Sequence, residues 1–271
     1  NEYKYVYYNA QLGFTLQTML LFAPICLNDS EEIIKKKIEI VSAFIDLLIY
    51  SRVINYKSCD YNTIKKYIFN LVKKIRRLSI EELSNELIEN YNGFGFTFEA
   101  LNEWRLNGFT KKYVKHFLAR ITGYIEEGSD KQSKYVEYVD KYIKDPYEIE
   151  HIIPDHYEWY KDEYESKETF DSYRNNIGDL LLLPKSVNAS LNDSKYDIKI
   201  KKYCSNEGNI YSASLDEITY RNNTRFIYFI EENNLSFKPF ITFGRAEIEE
   251  RFRLVKKLAK LIWNENNLKI K

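Results

Sequence analysis

His151 directly follows Glu150, and Asn175, Asn176, Asp179, Asn188 and Lys199 come within the next fifty or so positions. An imidazole is neutral and basic near physiological pH, so a histidine among such groups is a candidate general base. Glu150 and Asn188 offer a carboxylate and an amide oxygen, which suit a hard divalent cation that keeps several of its own waters. These are parts for hydrolysing a phosphodiester: His151 takes a proton from water, and magnesium or manganese on Glu150 and Asn188 neutralises phosphoryl charge.

The spacing carries a tension. Neighbours on a regular strand point to opposite faces, so Glu150 and His151 serve one site only where the strand ends or twists, and Pro154 favours such an ending. A histidine at a strand end is also an ordinary packing residue, so the pair alone assigns no role.

The flanking sequence supplies the positioning elements. Residues 147–153 alternate and are partly β-branched, which predicts a strand, and Leu180–Leu183 form a second short apolar run between Gly178 and Pro184. Helical character returns after Pro184. The order is strand, long loop, strand, helix.

Elsewhere the periodicity predicts helices. Ile34, Ile38, Val41, Ile45 and Leu48 form one stripe; Ile64, Ile68, Leu71, Ile75 and Leu78 form another, behind the cap candidates Asp60 and Asn62. Lys65, Lys66, Lys73, Lys74, Arg76 and Arg77 lie off that second stripe; they could line a phosphate backbone, but a solvated face is the favoured reading. Ser79 and Glu82 fit a capping box, and Thr110 is placed to cap a helix bearing Tyr113, Phe117, Ile121 and Tyr124. Tyr135, Tyr138 and Tyr142 suggest the next helix, residues 214–233 another, and residues 245–263 the last. His116 is expected at a helix surface or boundary and His156 in a loop.

The segments Glu150-His151-Ile152-Ile153-Pro154, Asn176-Ile177-Gly178-Asp179-Leu180, Leu183-Pro184, Asn188 and Tyr196-Asp197-Ile198-Lys199 together resemble the GmrSD-type HNH nuclease family. Ile248, Arg251, Leu258, Ala259, Ile262 and Trp263 resemble its closing segment. The resemblance implies a ββα-metal nuclease with His151 as general base, Glu150 as acidic metal ligand and Asn188 as helix-borne ligand. It also sets Asp179 where the family carries a loop-organising asparagine, and Lys199 at a lysine able to touch phosphate. Asp179 cannot donate as an amide does and brings a negative charge, which opens a second reading: an attenuated HNH-like module that binds or senses DNA. Members of the family are often joined to an N-terminal ParB-like NTPase domain and act against modified phage DNA. The start at Asn1 fits a piece of such a protein.

The expected fold is therefore a predominantly helical α+β protein: a helical region over residues 1–145, then a ββα-metal core with C-terminal helices over 146–271. Composition permits this, with 44% hydrophobic residues, 24 Tyr and 16 Phe but five Pro and nine Gly. The 40 basic and 40 acidic residues cancel, which excludes a global positive field, so DNA contact must be local. Cys26, Cys59 and Cys204 form no CxxC pair, which disfavours structural zinc and disulfides and fits a reducing cytoplasm. The apolar run Phe14–Leu27 is too short and interrupted to span a membrane and reads as a buried helix.

Overall fold

The computed structural model describes residues 3–205, 208–221 and 223–269. It contains two compact units, Asn1–Trp104 with Trp263–Lys271, and Arg105–Ile262. It is α+β and mostly helical, with one two-stranded sheet among the described residues.

In the first unit the helices are α1 (Lys4–Gln11), α2 (Gln17–Phe22), α3 (Glu31–Val53), α4 (Tyr61–Ile75) and α5 (Ile80–Gly93). Ser30 starts α3 by accepting from the Ile33 amide at 3.3 Å, and Glu31 and Glu32 complement the helix dipole. The expected single stripe understates this helix. From Ile40 to Tyr50 it is buried on every side, Ser42 and Asp46 included. The Asp60 cap, the inward stripe of α4 from Ile64 to Ile75 and the Ser79–Glu82 capping box are present, while Leu78 lies beyond the helix and is half-buried. Phe14–Leu27 is not one buried helix: α2 stops before Pro24, and Phe22 and Leu27 are exposed.

The second unit carries α6 (Lys111–Gly128), α7 (Tyr135–Val139), β1 (Tyr147–His151), α8 (Lys167–Arg174), β2 (Leu180–Pro184), α9 (Lys185–Leu191) and α10 (Tyr196–Tyr203). It continues through α11 (Ile210–Ala213), α12 (Ile218–Arg221), α13 (Thr224–Glu232) and α14 (Arg245–Ile262). Val114, Phe117, Leu118, Ile121 and Ile125 make α6 its central core helix. Because α6 packs on β2 and α7 on β1, both helices belong with the strands rather than with the helical first half.

Several expected elements differ. Thr110 precedes α6 without capping it; its hydroxyl donates to the Arg105 carbonyl at 2.6 Å instead. Tyr142 lies beyond α7 because the Asp140 carboxylate accepts its amide at 2.8 Å and turns the chain. Residues 214–233 form two short helices rather than one, with Asn223 taking a non-helical φ of −129° and ψ of 67° before α13.

His116 is a core residue, 6% exposed, with Nδ1 2.7 Å from the Tyr135 hydroxyl. Burial, then Lys112, Lys115 and Arg120, push its pKa down to about 3. The unfolded side chain titrates near 6.5, so this contribution is full above that value and falls by about 1.4 kcal/mol per pH unit toward the folded value. Thermal unfolding at about pH 7 and about pH 5 is expected to show a smaller loss in His116→Gln than in the unsubstituted protein.

A 3₁₀ turn, Ile177–Asp179, leads into β2 and packs on α14. A Cβ on Gly178 would lie 2.3 Å from the Ile248 carbonyl oxygen and 2.9 Å from the Phe252 amide nitrogen. Both are backbone atoms of a packed helix, so Gly178→Ala is expected to destabilise the second unit by about 1–3 kcal/mol in denaturant unfolding.

Candidate active site

β1 and β2 pair antiparallel, with Glu150 opposite Leu181 and His151 opposite Leu180. Leu180 to Leu183 are completely buried, so β2 is covered on both faces and forms the inner strand of the pair. Beyond the last pair the next two amides turn to a single residue, one to its carbonyl and one to its side chain. The Ile152 amide donates to the Asp179 carbonyl at 2.9 Å, and the Ile153 amide to Asp179 Oδ1 at 3.0 Å. The strand therefore ends at His151 rather than at residue 153. Glu150 and His151 consequently border the same cavity of about 340 Å³.

The helix after β2 is also placed locally. Asp145 Oδ1 accepts from the Ser186 amide at 2.9 Å, and Pro146 O accepts from the Lys185 amide at 3.0 Å, so the segment before β1 holds the start of α9. Asn188, one turn along, borders the cavity with Nδ2 3.5 Å from Ile149 O.

α10 supplies the other wall. Lys199 and Tyr203, four residues apart on one helical face, both donate to Glu150 Oε1, at 2.7 Å and 3.1 Å. Lys199 also donates to His151 O at 2.7 Å. Burial raises the Glu150 pKa, and Lys199 followed by Tyr203 opposes that rise. Lys199 is only 2% exposed, and its ammonium already has two acceptors, the Glu150 carboxylate and the carbonyl at the end of β1.

His151 Nε2 lies 3.3 Å from Asn175 Oδ1. The Asn175 amide nitrogen donates to Asp171 O at 2.8 Å, which sets the oxygen toward the imidazole. Nε2 of a neutral ring then carries the proton, leaving the lone pair on Nδ1. Burial, then the Arg174 charge, push the His151 pKa down to about 3, opposed by the Asn175 contact. The ring is neutral at physiological pH, as a base requires.

Asp179 does not border the cavity. It is completely buried, with Oδ1 on the Ile153 amide and Oδ2 without a partner. Through its carbonyl and Oδ1 it holds the backbone that follows His151. Burial pushes its carboxyl well above the usual range, against Ile153, Lys199, Arg174 and Arg251, so the expected negative charge is disfavoured. Asp179→Asn retains the acceptor for Ile153 and removes an ionisable group whose folded pKa is raised. Stability of the aspartate form declines as pH rises, so the substitution is expected to stabilise increasingly from about pH 5 to about pH 8 in thermal unfolding.

Several charged residues of the cavity were missed from sequence: Glu148, Arg174, Lys185 and Asp193. Glu148 stands two positions before Glu150 on the same strand face, a relation that period-two alternation contains. Arg174 reaches the cavity from the end of α8, and no local pattern announces it. Asn176 lies in the turn before β2, where its side chain accepts from the Gly178 amide at 2.8 Å. His156 lies in a loop.

The donor chemistry fits a hard cation: Glu150 and Asn188 offer oxygen, and the cavity has room for waters. Among the described residues no group of three His, Cys, Asp or Glu is placed to hold a metal, so protein ligation would be sparse. No described helix is long and apolar enough to cross a membrane. The three cysteines are free.

A family model described as GmrSD restriction endonucleases, C-terminal domain, matches residues 98–233. α14 lies beyond the matched residues. No curated protein and no solved structure matches the chain.

Proposed function

Since the chain belongs to the GmrSD restriction endonuclease C-terminal domain family, a nuclease family whose substrate is DNA, we propose that its cleft is a metal-dependent HNH phosphodiesterase centre. The observation that carries this is the convergence of His151, Glu150 and Asn188 on one cavity, from a strand, its end and the helix after the partner strand. His151 accepts the proton of the attacking water at Nδ1 while Asn175 holds Nε2–H. Glu150 and Asn188 would hold magnesium or manganese. When bound, such a cation supplies charge neutralisation at the phosphoryl oxygens and a more acidic water. Arg174 faces the incoming phosphate. Restriction of modified phage DNA, in company with an NTPase domain, is the setting proposed for this activity.

Supercoiled plasmid incubated with magnesium is expected to yield nicked or linear product, and chelation to stop it. Product formed equally with chelator would overturn the metal-dependent reading. The Lys199 ion pair on Glu150 favours a second reading, since it occupies one oxygen of the carboxylate offered to a cation. In that case the domain holds DNA without cutting it, and metal-independent binding appears with no product.

A further inference from the structure

The loop after β1 carries four aromatic residues with different tasks. Tyr157, Tyr160 and Tyr164 gather around buried Phe170, with ring centroids 5.8, 5.7 and 5.4 Å from it. They anchor the loop to α8. Trp159 takes no part in that cluster and is 48% exposed, whereas Trp104 and Trp263 are each 1% exposed. It stacks on His156 with centroids 4.2 Å apart and planes 27° apart, and the Lys195 ammonium lies 5.0 Å from its ring centroid.

The stack sits at the mouth of the cleft. His156 Nε2 is 3.7 Å from Asp193 Oδ2, and Asp193, Asn192 and Pro154 border the cavity. Lys195 immediately precedes α10, the helix bearing Lys199. The rim turn is held in an uncommon conformation, with Asn192 at φ +42°. A tryptophan ring stacked at 27° on a second ring, with a flexible cation over it, is thus displayed beside a cavity for which DNA is the proposed substrate.

We propose that Trp159, His156 and Lys195 form a stacking platform for an unpaired nucleobase of the strand entering the cleft, an inference that rests on the nuclease reading above. An aromatic face binds any base, and a neighbouring cation neutralises the adjoining phosphate. Bases inside a duplex have both faces covered by their neighbours, so only a single-stranded or locally opened segment can use the platform. The cleft therefore selects strands that are open next to the scissile phosphate.

Trp159 is its own reporter, because the other two tryptophans are buried. A short oligothymidylate is titrated into the full chain with chelator present, following tryptophan emission and, with a labelled strand, anisotropy; a duplex of mixed sequence serves as comparison. Saturable quenching by the single strand is expected, with the duplex at least about ten-fold weaker. Trp159→Ala should weaken single-strand affinity about ten-fold, while Trp159→Phe should retain it within about two-fold and lose the quench. Binding without quenching, or unchanged affinity in Trp159→Ala, overturns the platform. Absence of single-strand binding alongside plasmid cleavage also overturns it and leaves the nuclease reading intact. Quenching without plasmid cleavage supports the platform and contradicts the hydrolytic reading instead.

Discussion

His151→Ala is expected to lower DNA cleavage by about 10²- to 10⁴-fold, the range that a positioned general base contributes, with little change in fold. The two effects separate because of how the residue is held. Its carbonyl, not its ring, receives Lys199, and its backbone pairs with Leu180, so truncation leaves the strand end in place. The ring contributes the Asn175 contact and the second nitrogen, both of which the proposed mechanism uses. The loss should fall mainly on kcat, with KM little altered, since the proposed phosphate and base contacts lie elsewhere. Steady-state cleavage kinetics beside circular dichroism and thermal unfolding check this. Unchanged kcat in a folded variant would remove His151 from the mechanism.

Lys199→Ala has the largest expected effect on stability, a loss of about 3–5 kcal/mol, because it leaves a buried carboxylate without its cation. Lys199 is 2% and the Glu150 side chain 7% exposed, so water cannot replace the missing partner without opening the wall of the cleft. The sign with pH follows from Glu150, whose pKa is raised by burial and held down mainly by Lys199. Without the lysine the pKa rises further, the group takes up a proton more readily, and the deficit shrinks as pH falls. Denaturant unfolding of Lys199→Ala and of the double variant Glu150→Gln with Lys199→Met tests this. The double variant is expected to be more stable than Lys199→Ala, because it leaves no uncompensated charge.

The order strand, loop, strand, helix was legible because each signal is local. Alternation, the Leu180–Leu183 run and Pro184 are read over a few residues, as are the caps at Asp60 and Ser79. Partnerships decided by tertiary packing were not legible. Lys199 reads as a phosphate contact until α10 turns it onto Glu150, 49 positions earlier in the chain. Asp179 reads as a charge in the site until the 3₁₀ turn, braced by Arg251 donating to Gly178 O at 2.8 Å, buries it behind the strand end. His116 follows the same rule, since its helix exposes no face there to water. The Glu150–His151 tension was correctly posed from strand geometry, and its resolution lay with Asp179, which captures the next two amides and stops the ladder.

The most direct test of the hydrolytic centre is chemical rescue of His151→Gly with free imidazole in a magnesium-containing plasmid-nicking assay. Removing the ring adds to a cavity already about 340 Å³ in volume, enough to admit the small base. Nicking that is lost in the variant and rises with imidazole concentration is the expected result, because it returns the proton acceptor alone. Nicking that survives the substitution, or that imidazole leaves unrestored in a folded variant, would contradict a base at this position.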